Sequence, residues 1–223
     1  MKDKIVIIGG KGSAVVVGEQ IYDAQKRGAD VEFLGFAFDD EQFGSEINGF
    51  PILAKTHDVF SKFEKQKEVK FLFQLFRPDL MKERIELLKS YGIPLDRFAK
   101  FVHPSVVLSN SARIGYGTSI MANAVVNANA IIGNHCTIHS NSLIGHDTSM
   151  DDYNFIAAHN VIGSNNKIGS ANFMGINSTY NNYITIGDNC FVGMASNVIK
   201  NIVSGTKVYG NPAKEFNSQI KAL

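Results

Sequence analysis

The sequence predicts a Rossmann-like α/β unit followed by a parallel β-helix of hexapeptide repeats, and three observations carry this. Stepping by six from Val102 through Leu108, Ile114 and Ile120 to Val198 gives seventeen positions, of which only Tyr180 is neither aliphatic nor Met. Gly often follows the repeated residue, as at Gly115, Gly133, Gly145 and Gly163. A small or compact polar residue mostly lies two before it, as at Ala112, Thr118, Cys136 and Ser142; Lys100, Val106 and Ile184 are exceptions. Before residue 102 the period is absent, and short apolar runs alternate with helical patterns.

A period of six fits neither the 3.6 of a helix nor the alternation of a flat strand. It fits short strands separated by corners, three to a coil of about 18 residues, with coils stacked at about 4.8 Å. The aliphatic residue then faces the interior, and the small one before it lets the chain turn into that narrow space. Roughly five coils bury a continuous core. The division expected is residues 1–101 and residues 102–223, the latter including a C-terminal tail.

In the first part, residues 4–8 read as a strand ending in Gly9-Gly10-Lys11-Gly12-Ser13-Ala14. A helix follows through Lys26, stopped by Gly28, and residues 31–38 form a second strand ending at Asp39-Asp40. After a loop, residues 69–76 read as a strand, and Pro78 opens a helix to Tyr91, stopped by Gly92. Strands alternating with helices predict a parallel sheet. The glycine turn suits an anion or a nucleotide at a helix N-terminus. A dinucleotide fingerprint needs glycine near position 15, which is Val15, and the spacing of a Walker loop is absent. Asp39 and Asp40 stand where open α/β sheets bind ligands. A carboxylate there accepts the ring N–H of uracil or thymine, or ribose hydroxyls. The alternative reading is a tight turn with no ligand.

Composition narrows the partners. A formal charge of +1 provides no polyanion-binding face, which argues against nucleic acid. No apolar run approaches the roughly 20 residues that span a bilayer, so no membrane insertion is expected. The opening MKDKIVIIGG reads as a strand into a turn rather than a signal peptide. Cys136 and Cys190 read as buried packing residues in a reducing, cytoplasmic setting. No set of His, Cys and carboxylates recurs at metal-ligand spacing, so no metal is expected.

The compact chemical candidate is His146-Asp147, directly after Ile144-Gly145 near a corner, where side chains point outward. An imidazole with a carboxylate beside it is the pairing a general base requires, the carboxylate fixing the tautomer and stabilising the imidazolium. Ser164, 18 residues on, stacks above His146 and offers a backbone N–H to an oxyanion. His139 and His159 both read as lying on the third face of the prism, about one coil apart, where they either join the same cleft or line solvent.

The glycine turn, Asp39-Asp40, the prism with Ile144-Gly145-His146-Asp147, and Val208-Tyr209-Gly210-Asn211-Pro212-Ala213-Lys214 together resemble the sialic acid O-acetyltransferase type of sugar acyltransferases. That family includes N-acetyltransferases of nucleotide-linked 4-amino-4,6-dideoxy sugars. The resemblance spans essentially the whole chain. It implies a left-handed coil, and His146 as base oriented by Asp147. It implies nucleotide-sugar contacts at Gly9, Gly10, Gly12, Ser13, Asp39, Asp40 and His139. It also implies acetyl-CoA or another acyl-CoA as co-substrate, lying between subunits of a homotrimer. Phe155, His159, Ser164, Gly175, Met194, Lys200 and Lys214 would contact it, in a groove that includes Tyr180, Asn181, Asn182 and Tyr183. Relatives commonly carry Asn at the position of His139, His-Gly at Ser13-Ala14, a histidine at Phe155 and a glycine at Ser164.

The expected function is acyl transfer from CoA to the amino group of a nucleotide-linked sugar for surface glycan biosynthesis. The alternatives are O-acetylation of a sialic acid or another sugar, and a non-catalytic β-helix binding module.

Overall fold

The computed structural model describes residues 2–216; the last residues of the expected tail lie outside that range. The first part contains β1 (Asp3–Ile8), α1 (Ser13–Lys26), β2 (Val31–Ala37), β3 (Glu46–Ile47), β4 (Phe50–Ala54), α2 (Val59–Phe63), β5 (Val69–Phe73) and α3 (Met81–Ser90). The sheet order is β3-β4-β2-β1-β5, with β4, β2, β1 and β5 parallel and β3 antiparallel to β4. The centre of β1 and β5 is apolar on both faces because helices cover both. Ile5 and Ile7 pack with α1 on one side, and Val6, Ile8, Phe71 and Phe73 pack with α2 and α3 residues on the other.

Two details differ from the sequence reading. The stretch read as a loop contains a hairpin and a short helix: Asn48 and Gly49 both take positive φ (49° and 80°), the turn that joins β3 to β4. The helix expected from Pro78 begins three residues later, at Met81, after a hydrogen-bonded turn from Arg77 to Leu80.

The six-residue period becomes seventeen two-residue strands from Phe101–Val102 to Asn197–Val198 among the described residues. They sort into three parallel sheets in rotation. The first face carries Phe101–Val102, Ser119–Ile120, Thr137–Ile138, Phe155–Ile156, Phe173–Met174 and Phe191–Val192, and later Lys207–Tyr209 and Lys214–Glu215. The second carries Val107–Leu108 through Asn197–Val198, and the third Arg113–Ile114 through Thr185–Ile186. Partners lie 18 residues apart, as in Val125↔Leu143 and Leu143↔Val161. Repeated residues from Ile120 onward form one core, whereas Leu108, on the open first coil, is exposed.

The small residue of each repeat stands just after the corner. The left-handed corner residue precedes it, as Tyr153 (φ 64°) precedes Asn154. Asn154 Nδ2 donates to the carbonyls of Asp151 and Gly169, and its Oδ1 accepts from the N–H of Asn172, so buried amides tie each coil to the next. Cys136 and Cys190 lie in this column as free buried thiols, and burial pushes Cys136 up to about 12.

The α/β part sits on the first face and its flanking corners. Gln74 donates to Ser119 and Thr137, Gln20 reaches Ser140 and the N–H of Ala122, and buried His103 pairs with Asp23 of α1. At the other corner His135 stacks on Tyr153 and meets Phe98 edge-on.

Candidate active site

His146 and Asp147 form the corner between the second and third faces, after the strand Leu143–Ile144. Gly145 is required there because a Cβ would stand 2.5 Å from the carbonyl carbon and oxygen of Gly163 in the next coil. Asp147 takes left-handed φ (56°), which turns its carboxylate back toward the imidazole. His146 Nδ1 lies 2.7 Å from Asp147 Oδ2, and Asn129 Nδ2 donates to Asp147 Oδ1 at 2.9 Å. The His146 hydrogen bond first, then that of Asn129, holds the Asp147 carboxyl below its usual range. An ionised carboxylate only accepts, so the Nδ1 proton lies between the pair and the Nε2 lone pair is free to take a proton. Both side chains are about half exposed. Asn129, 18 residues below, was not singled out in the sequence; the coil period is the signal that finds it.

Ser164 does stack above His146, and the N–H of Asn165 donates to the His146 carbonyl. The Ser164 N–H, however, is not free for an oxyanion: it donates to Asn182 Oδ1 at 2.8 Å. The same bridge from a corner N–H to an Asx one coil on recurs at Asn134 with Asp152 and at Ser170 with Asp188, so it belongs to the coil architecture. Tyr180 stands differently from its neighbours Asn181 and Tyr183: its ring points into the prism core, where burial raises its hydroxyl pKa, and it borders the second-face cavity from the core side.

The residues expected around acyl-CoA are spread over the prism. Ser164, Asn182, Tyr183 and Lys200 lie on the His146 edge, and Tyr183 is 77% exposed. His159, Gly175 and Met194 line the opposite edge of the second face. Phe155 belongs to a stacked ladder with Phe173 and Phe191 on the first face, and Lys214 to the short strand ending that sheet. A cavity of about 590 Å³ beside Val161, Thr179, Asn181 and Pro212 opens on the second face above His146.

His139 and His159 stand on the corner between the first and second faces rather than on the third, and their surroundings differ. His139 is half-buried against α1, with Nε2 3.2 Å from Ser13 Oγ and its ring against Phe155. Burial lowers it to about 4, so it is neutral at pH 7. His159 is exposed and bonds Asn141.

The other candidate centre lies at the carboxyl ends of β1, β2 and β5, where the connections diverge to either side of β1. A cavity of about 580 Å³ opens there between Lys11, Phe38, Asp40, Gln74, Phe76 and α3. Gly10 cannot carry a side chain, since a Cβ would lie 2.4 Å from the Phe38 ring, and Gly12 has φ 54°. Among the described residues, no protein acceptor takes the N–H of Gly10, Lys11 or Gly12. Lys11 Nζ lies 2.6 Å from Asp40 Oδ2, which, with the Gln42 N–H, lowers the Asp40 pKa. Asp39, expected as a ligand contact, has both oxygens engaged by Thr56, from the N–H at 2.8 Å and the hydroxyl at 2.6 Å. Its first role is to shape the wall. Ser13 likewise donates to Gln74 Oε1 rather than standing free. Thr56, Arg84 and Tyr91 line the same cavity without any sequence motif to announce them.

The two centres lie on opposite sides of one chain. The α/β part covers the first face, and His146 is on the corner that this face does not touch.

Residues 111–146 match the bacterial transferase hexapeptide (six repeats) family. No curated protein sequence matches the chain. Among solved structures, a variant of perosamine N-acetyltransferase from Caulobacter crescentus, in complex with CoA and GDP-perosamine, has a TM-score of 0.80 at 22% identity, over 96% of this chain and 97% of that one. The acetyltransferase domain of PglB from Neisseria gonorrhoeae FA1090, with acetyl coenzyme A, has a TM-score of 0.80 at 24% identity, over 97% and 100%. WeeI from Acinetobacter baumannii AYE has 0.64 at 19% identity, over 95% and 99%. The likeness extends over both parts and establishes the fold: an N-terminal α/β unit followed by a left-handed β-helix of hexapeptide repeats.

Proposed function

We propose that this protein transfers an acyl group, acetyl in the simplest case, from CoA to the amino group of a nucleotide-linked sugar. The single observation that carries the reading is the corner pair: an outward imidazole with Nδ1 held by Asp147 and Nε2 free. The amine nitrogen attacks the thioester carbonyl while Nε2 of His146 takes its proton. The tetrahedral intermediate collapses, the C–S bond breaks, and the CoA thiolate leaves and takes up a proton, giving amide and thiol. Asp147, braced by Asn129, stabilises the imidazolium. Support for the donor comes from the second-face cavity and from Lys200 further up the same edge, a cation for the CoA phosphates. Support for the acceptor comes from the unpaired N–H groups of the glycine turn, suited to a diphosphate. The solved relatives bound to CoA and GDP-perosamine, or to acetyl coenzyme A, agree with both halves.

Because the two centres face away from each other in one chain, the working site takes its base from one copy and its nucleotide cavity from another. The outward column Val107, Val125, Leu143 and Val161 gives the second face an apolar strip, flanked by exposed Ile176 and Met194, which suits burial in a homotrimer. Cytoplasmic placement follows from the cytosolic character of both substrates; among the described residues no helix is long and apolar enough to cross a membrane.

The test is to mix the protein with acetyl-CoA and UDP-, dTDP- or GDP-linked 4-amino-4,6-dideoxy sugars and follow free thiol and product mass. Thiol release matched by acetylated sugar supports the reading. Acetylation of free sialic acid instead, or of none of these, overturns it.

A further inference from the structure

The cavity between β2, β5 and α3 contains two polar groups that nothing in the protein satisfies. α3 and the residue after it present Arg84, Leu87 and Tyr91 to the cavity at helical spacing. Arg84 Nε and the Tyr91 hydroxyl are both enclosed and without a hydrogen-bond partner. Asp79 is taken by Arg77; the Thr56 hydroxyl, which gives its proton to Asp39, stands near enough to Tyr91 to oppose the rise that burial imposes on its pKa, but not in hydrogen-bond geometry with it. Leaving such groups dry and unpaired is costly, and a ligand that pairs them recovers that cost. The cavity walls beside them include Phe38, Leu75, Phe76 and Leu87, which suit the flat face of a heteroaromatic ring. The diphosphate-binding N–H groups lie at the other side, on the glycine turn.

Resting on the reading of this cavity as the nucleotide site, we infer that Arg84 and Tyr91 choose the base. The Arg84 Nε can only donate, whereas the Tyr91 hydroxyl can donate or accept, so it is the Arg84 end that favours an exocyclic carbonyl and opposes an exocyclic amino group. Uracil, thymine and guanine present O4 or O6 there; cytosine and adenine present NH₂, which would meet the Arg84 N–H head-on. Asp39, held in place by Thr56, keeps a lone pair on each oxygen for the ring N–H that only the oxo bases carry.

The experiment is calorimetric titration of the full chain with UDP, dTDP, GDP, CDP and ADP, repeated with Arg84→Met and Tyr91→Phe. At least one of the three oxo-base diphosphates should bind about tenfold or more tighter than CDP and ADP. Arg84→Met should abolish most of that preference by weakening the oxo-base ligands, with CoA affinity unchanged. Should Arg84→Met fail to fold, Tyr91→Phe, which removes a single oxygen, must produce a smaller loss confined to the same ligands. Equal binding of all five diphosphates overturns the inference but leaves the nucleotide reading standing. An equal loss for all five in Arg84→Met does the same, since Arg84 would then bind phosphate. Binding of none of the five overturns both.

Discussion

The prism and the α/β part place chemistry in opposite ways. In the prism each side chain's direction follows from its place in the repeat, and a functional pair needs only two neighbouring residues at a corner. His146 and Asp147 meet at 2.7 Å with one bracing residue, Asn129, one coil below. The α/β cavity is assembled from β1, β2, β5, α3 and the loop carrying Thr56, over more than 80 positions of sequence. A repeat fixes its site through local geometry, whereas a cavity built by distant segments depends on packing that no motif records.

His146→Ala should have the largest effect, lowering kcat about 10²–10⁴-fold with little change in either Michaelis constant, because the imidazole moves a proton rather than holding a ligand. A large KM rise at constant kcat would instead make the corner a binding site. Ile162→Ala, at a fully buried prism position, should cost about 2–5 kcal/mol in chemical denaturation, since stacked coils cannot collapse around the cavity. A loss under 1 kcal/mol would show the repeat core to be more pliant than its register implies.

Asp39→Ala should weaken nucleotide binding about 5- to 150-fold, by releasing Thr56 and unshaping the cavity wall, while CoA binding stays nearly constant. Equal loss of both affinities by calorimetry would show that the two centres are not separate. The smallest effect concerns pH. The base must be neutral to act, so activity should fall as pH falls. His139 is pushed down to about 4 by burial and is already neutral through the working range. The acid limb of kcat should therefore survive His139→Gln; a limb lost in that variant would make His139 the group that moves the proton.

The prism was legible almost residue by residue, since the period from Val102 to Val198 gives both the interior column and the corners. What the period did not show was occupancy: the Ser164 N–H is already bonded to Asn182, and Tyr180 turns inward because it stands on the core position of its repeat. In the α/β part β1, α1 and β2 could be read from apolar runs and glycines. The hairpin at Asn48-Gly49 had a signal in the Asn-Gly pair, but strands as short as β3, with Pro51 inside β4, hid it. Arg84 and Tyr91 had none: on an amphipathic helix they look like ordinary boundary residues, and only the fold shows that they face an enclosed space.

The central claim is that the base of one chain serves the cavity of another, and subunit mixing tests it most directly. His146→Ala retains an intact cavity, and Lys11→Glu retains an intact base while placing a negative charge at the glycine turn. The two inactive variants, unfolded together and reassembled in equal amounts, should recover about a quarter of wild-type activity, because each site draws its halves at random from two chains. Recovery near that value supports a site shared between copies; a mixture as inactive as its parents, with the two variants shown to have assembled together, would contradict it.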